Sequence, residues 1–362
     1  MWNNKVTNLL QITYPIIQAP MAGGITTSRL VAAVANSGGL GMIGAGYMSP
    51  NQLREQIREI KTLTKNSFGV NLFVPTDYKV SKVEVDMGFA SLQTFRSELG
   101  VVGEIPAISN YGKDLDTFNK QLEVILEENV SVCSFTFGVP SKEIIDELKK
   151  HQIVSIGTAT TTNEAIQNES AGMDLITVQG SEAGGHRGTF ADENRDQVIG
   201  LMSLIPQVVD KVSIPVVAAG GIMDGRGLMA SLCLGAGAVQ MGTVFLTCVE
   251  SGAHPIYKKA ILHANEDETV MTRAFSGKWA RGIKNQFISE MESYQDQILP
   301  FPVQNTLTSA IRKASAAQEN PEFMSLWTGQ TLTLAKNQTV EELINHTINE
   351  ATEIRNKQNI LR

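Results

Sequence analysis

The feature that most constrains this chain is an alternation, repeated eight times, of short apolar runs with longer amphipathic stretches. The runs fall at residues 16–19, 40–44, 68–73, 132–136, 153–158, 175–179, 215–219 and 238–242. Helical patterns follow at 27–37, 49–64, 114–128, 141–150, 161–170, 197–209 and 224–234. Strands buried on both faces read as near-continuous apolar runs, as these do. Strands alternating with helices imply parallel pairing through right-handed crossovers. Eight such units predict an α/β fold closed into a (β/α)8 TIM-type barrel; the alternative is an open, doubly wound sheet.

Two segments break the rhythm. Residues 76–113 separate the third strand from its helix, are mostly polar, and are expected to form an insertion on the active-site side. The tail beyond residue 249 carries Pro255, Pro300, Pro302 and Pro321 among several helical patterns. The expected organisation is a barrel over 1–249, a smaller, mainly helical module on the substrate side over 250–335, and a C-terminal helix within 336–362, patterned at 339–356. The chain has 362 residues, of which 42% are hydrophobic. That is enough to bury a large core without disulfides.

The net charge of −7 and the absence of a Lys/Arg cluster argue against a nucleic-acid partner. No run of about 18 apolar residues predicts a membrane span, and the first 18 residues lack a signal-peptide pattern. A cytoplasmic setting is expected. Cys133, Cys233 and Cys248 form no CxxC pair and are expected to be buried free thiols. No heptad or apolar stripe fixes an oligomeric state.

Barrel enzymes carry their chemistry at the carboxyl ends of the strands. After the first run come Ala19-Pro20-Met21-Ala22-Gly23-Gly24, small residues that would let a flat ligand approach the backbone; a plain tight turn would read the same way. Asn71, in the third run, would place an amide among apolar neighbours, where it needs a partner. The sixth run leads into Gln179-Gly180-Ser181-Glu182-Ala183-Gly184-Gly185-His186-Arg187-Gly188. This sets an imidazole, the side chain best suited to moving protons near neutral pH, on a glycine-framed loop. No second histidine or cysteine lies at ligand spacing, so metal is not expected. The seventh and eighth runs end in Ala219-Gly220-Gly221-Ile222 and Gln240-Met241-Gly242-Thr243. Loops in these places often bind phosphate through backbone N–H groups. A GxGxxG after the first strand is missing, so a Rossmann dinucleotide site is not supported. Phosphate at one end and a flat, hydrogen-bonding group at the other describe FMN.

With these motifs the chain resembles the nitronate monooxygenase family, formerly the 2-nitropropane dioxygenases, and its first class in particular. The matching stretches are 15–23, 37–44, Ser134-Phe135-Thr136-Phe137-Gly138 and 180–188, with 219–222 and 241–243 also fitting. The resemblance implies non-covalent FMN, with Met21, Asn71, Gln179, Gly184, Gly220, Gly221 and Gln240 to Thr243 around it and His186 beside the substrate. It implies oxidation of alkyl nitronates, such as propionate 3-nitronate, by O2 to an aldehyde and nitrite. His186 would then be either a base for neutral nitroalkanes or, protonated, an electrostatic anchor for a nitronate. FMN-dependent enoyl-ACP reductases and NAD(P)H:quinone reductases share the fold and stay open as alternatives, while the His186 loop argues against a flavin carrier without turnover.

Overall fold

The structure is a computed structural model that describes residues 2–191 and 198–360. Its strands, in chain order, are β1 (Ile16–Gln18), β2 (Gly41–Gly44), β3 (Phe68–Phe73), β4 (Val132–Thr136), β5 (Val154–Ala159), β6 (Leu175–Gln179), β7 (Gly185–His186), β8 (Val216–Ala219), β9 (Ala238–Met241), β10 (Thr269–Thr272) and β11 (Ala280–Ile283). Eight of these pair in parallel in the order β1-β9-β8-β6-β5-β4-β3-β2. A parallel bridge between Ile17 and Leu40 then joins β1 to the start of β2, making a barrel rather than an open sheet.

The apolar runs become strands because the barrel buries both their faces. Ile17, Leu40, Met42, Val132, Ile156, Leu175, Val217 and Ala238 form one buried cluster with Val6 and Leu10 of the first helix, Lys5–Leu10. That helix sits at the amino ends of the strands, where Asn4 Nδ2 donates to Gly237 O just before β9 (2.8 Å). The outer helices lay their apolar stripes on the strands. Helix Pro50–Leu63, for example, starts at a Ser49–Gln52 capping box with proline in its first turn and buries Leu53, Ile57 and Ile60. The C-terminal helix, Val340–Ile360, packs Val340, Leu343 and Ile344 with Leu30, Val34 and Leu228 of two outer helices. Among the described residues, no helix is long and apolar enough to cross a membrane.

Four features refine the expected organisation. The 76–113 segment holds two helices, Lys82–Ser91 and Gln93–Glu98. Its Leu92, Phe95 and Leu99 are buried in one cluster with Phe275, Phe287 and Phe323 of the tail. The tail contributes two strands as well as helices, and these form an antiparallel sheet, β10-β11-β7. Cys133 and Cys248 are buried, but Cys233 is exposed, because it falls on the solvent side of helix Gly225–Cys233. The helix expected at 197–209 spans Leu201–Val209, and residue 197 lies outside the described residues.

One buried carboxylate anchors the loop beyond β7. Glu164 is fully buried and accepts hydrogen bonds from Thr160 N (2.6 Å), Thr160 Oγ1 (2.8 Å), Thr189 Oγ1 (2.6 Å), Phe190 N (2.7 Å) and Ala191 N (3.1 Å). Burial pushes its pKa up, but these donors outweigh burial and hold it below the usual carboxylate value. Glu164→Ala would strand several buried donors, each costing about 1–3 kcal/mol. The variant is expected to lose roughly 3 kcal/mol or more in chemical denaturation; an unchanged midpoint would show that the anchor is dispensable.

Candidate active site

The parallel strands put all eight carboxyl ends at one mouth of the barrel, and most of the residues singled out in the sequence stand there. Ala19 follows β1, its N–H donating to Met241 O (2.8 Å). Met21 and Ala22 are half-buried just beyond. Asn71 is buried in β3 and donates Nδ2 to Ser134 Oγ (2.9 Å) and Thr136 Oγ1 (3.1 Å) on β4. Gly180 N donates to Ala219 O (2.9 Å), tying the β6 loop to β8. Gly184 is exposed, and a Cβ there would lie 2.4 Å from the Thr328 carbonyl carbon, so only glycine fits. Gln240 is half-buried at the end of β9, whereas the Met241 side chain belongs to the apolar core and offers only its backbone to the mouth. Thr243 Oγ1 accepts Gly329 N–H (3.0 Å), which draws the tail over the barrel.

His186 sits on a strand, not on the free loop its glycines suggest. β7 pairs antiparallel with β11, His186 opposite Ala280 and Gly185 opposite Arg281. Gln179 braces the same residue from the barrel: Nε2 donates to His186 O (3.0 Å) and Oε1 accepts Gly188 N–H (2.8 Å). The Gln179 amide thus holds the loop with both ends. Arg281 Nε donates to Ser181 O (3.0 Å), and Arg187 N donates to Trp279 O (2.8 Å), completing the seam.

The imidazole stands in an aromatic box. Its ring lies 5.9 Å from Phe137, 6.1 Å from Phe301 and 5.5 Å from Trp327. Phe137 holds this place at φ +72°, a strained value for an aromatic residue. Phe73 lies 4.6 Å from Phe137, and Tyr47 meets Phe73 edge-on at 5.5 Å. The Lys278 ammonium is 4.9 Å from the centre of the Phe137 ring. His186 Nε2 is 2.8 Å from Ser276 Oγ. That hydroxyl donates its one proton to Lys278 O (3.1 Å) and accepts Lys278 N–H (3.3 Å), so it accepts from the imidazole too. With the hydroxyl proton on Lys278 O, the ring proton sits on Nε2 and Nδ1 is the acceptor nitrogen. Burial, then the positive charges of Lys278 and Arg312, push the His186 pKa down to about 3. These surroundings favour the neutral imidazole.

A second feature of the mouth is a set of backbone donors. Gly220 and Gly221 turn with φ +129° and +65°, which side chains rarely adopt. Among the described residues, no acceptor meets the N–H groups of Gly220, Gly221 or Gly242. Gly220 packs closely on the β6 loop, where a Cβ would meet Ala183 N at 3.3 Å and Gly180 Cα at 3.5 Å. Unmet amides on such glycine turns suit the phosphate end of a ligand such as FMN. Reasoning from sequence missed Ser276, Phe301 and Trp327, which come from the tail and meet the His186 ring.

Comparison with known proteins adds an independent line. A profile of the nitronate monooxygenase family matches residues 3–350. A Staphylococcus haemolyticus protein described as a probable nitronate monooxygenase is 51% identical, over 96% of this chain and 97% of its own. The structure of nitroalkane oxidase from Streptomyces ansochromogenes superposes with a TM-score of 0.89 at 38% identity, covering 98% of this chain and 99% of that one. FabK from Thermotoga maritima superposes with a TM-score of 0.78 at 31% identity, covering 99% of each chain.

The charge state of His186 is directly testable. In a proton NMR titration, with its signal identified by loss in His186→Asn, the ring is expected to stay neutral from pH 8 down to about pH 4. A midpoint near the ordinary value of about 6.5 would contradict the site's electrostatics.

Proposed function

The chain belongs to the nitronate monooxygenase family and is an oxidoreductase, and from that premise we propose that it oxidises alkyl nitronates of the propionate 3-nitronate type with O2, giving an aldehyde and nitrite, with FMN as its cofactor. The observation that carries this reading is the His186 imidazole, bonded to Ser276 and set in an aromatic box at the mouth of the barrel. The residues that would hold FMN are Ala19, Met21, Ala22, Asn71, Gly180, Gly184 and Gly185 around the ring, and Gly220, Gly221, Gln240, Met241, Gly242 and Thr243 toward the phosphate. Gln179 supports them by bracing the His186 loop. When bound, FMN supplies the electron-accepting chemistry.

The protein's own part is binding, orientation and proton handling. With a neutral nitroalkane, His186 is the side chain placed to receive the α-proton, and the Ser276 bond orients its ring. With a preformed nitronate no proton has to leave. The ring then packs against the substrate and orients it. Phe73, Phe137, Phe301 and Trp327 keep water from the reacting carbon. A second reading, reduction of an acyl double bond with hydride from a nicotinamide, draws on the likeness to FabK.

The purified protein is expected to carry FMN and to convert propionate 3-nitronate and O2 to nitrite and aldehyde. His186→Asn is expected to keep FMN and lose about 10²–10⁴-fold in kcat/KM for a neutral nitroalkane. Full activity in that variant would remove His186 from the reaction. Absence of nitrite from the wild type would overturn the proposal.

A further inference from the structure

The tail crosses the mouth of the barrel at residues 326–332, a segment that the chemistry above uses only through the Trp327 ring. Leu326 and Leu332 pin its two ends, both buried in one apolar cluster with Tyr257 and Ile261 of helix Pro255–His263. Toward β11, Ile283 N donates to Leu326 O (3.0 Å), Thr328 N donates to Arg281 O (3.3 Å), and Trp327 forms an antiparallel bridge with Gly282. Toward the barrel, Gly329 N donates to Thr243 Oγ1 (3.0 Å) and Gln330 N donates to Glu182 O (3.0 Å). Between the two sides, the buried Tyr257 donates its hydroxyl to Trp327 O at 2.5 Å.

The segment lies tight on the loops beneath it. A Cβ on Gly184 would fall 2.5 Å from Gly329 N, one on Gly329 would fall 2.8 Å from Glu182 O, and one on Gly221 would fall 3.2 Å from Thr331 Oγ1. Residues 327–331 therefore span the loops after β6, β8 and β9, where the unmet glycine amides suit the phosphate end of FMN. The same stretch carries Trp327, whose ring lies 5.5 Å from His186. Lifting it off the loops would also take Trp327 away from the imidazole.

We propose that residues 327–331 are a latched strap over the phosphate end of the cofactor cleft, that FMN enters and leaves only when the strap lifts, and that Tyr257 is the positioning residue that holds it down and keeps Trp327 on His186. This rests on the FMN site proposed above. A latch has a kinetic signature: weakening it speeds entry and exit together, whereas damage to a binding site speeds exit alone.

The test is stopped-flow flavin fluorescence of FMN uptake and release in the wild type, Tyr257→Phe and Gly329→Ala. The first variant removes one hydroxyl, and the second pushes the strap off Glu182 O from the other side. Both are expected to take up and to release FMN about five- to tenfold faster, with Kd changing far less. Hydrogen exchange at the 326–332 amides is expected to quicken by a similar factor in both flavin-free variants, and to slow when FMN is added to the wild type. Faster release without faster uptake would overturn the latch, as would uptake, release and exchange that all match the wild type. Should Tyr257→Phe fail to fold, Gly329→Ala decides by the same two rates. A wild type that takes up no FMN overturns the cofactor instead; exchange in the flavin-free protein then still tests the strap, and an unchanged rate in Tyr257→Phe would overturn that as well.

Discussion

The site depends on one short pairing, that of Gly185 and His186 with Ala280 and Arg281. A two-residue strand has little stability of its own. Here it is clamped from the barrel side by the Gln179 amide and from the tail side by Arg187 N on Trp279 O and Arg281 on Ser181 O. The seam does two things at once. It fixes the imidazole above the mouth of the barrel, and it brings Ser276, Lys278 and Trp327 to that imidazole. Without the pairing, the glycines around His186 would leave it on a mobile loop.

The electrostatics follow from that geometry. The tail brings positive charge toward His186, and the aromatic rings bring low polarity. Both favour the neutral ring. The Ser276 hydroxyl holds the ring through Nε2 and leaves Nδ1 toward the pocket. A protonated histidine acting as an electrostatic anchor, one of the two roles open from sequence, would need the anion of a bound nitronate beside the ring to offset these surroundings.

The barrel was legible in the sequence because its signal is local. Strands β3, β4 and β6 coincide with apolar runs at 68–73, 132–136 and 175–179, and the others differ by a residue or so at their ends. What was not legible is non-local. β10 and β11 read Thr-Val-Met-Thr and Ala-Arg-Gly-Ile, too short and too mixed to show a period of two. Their partner, β7, is two residues long and lies far away in the chain. The 76–113 segment read as polar because its apolar residues are sparse, yet Leu92, Phe95 and Leu99 find a core in the tail. In the site, His186 announced itself through its glycine frame. Ser276 and Trp327 carried no local mark, since their meaning comes from what the fold sets beside them.

The measurement that bears most directly on this account is an anaerobic visible spectrum of the FMN-loaded protein mixed with propionate 3-nitronate. The account expects the nitronate alone, without any nicotinamide, to bleach the oxidised flavin absorbance. An unchanged spectrum with the nitronate, followed by rapid bleaching with NADH or NADPH, would contradict it and identify a reductase instead.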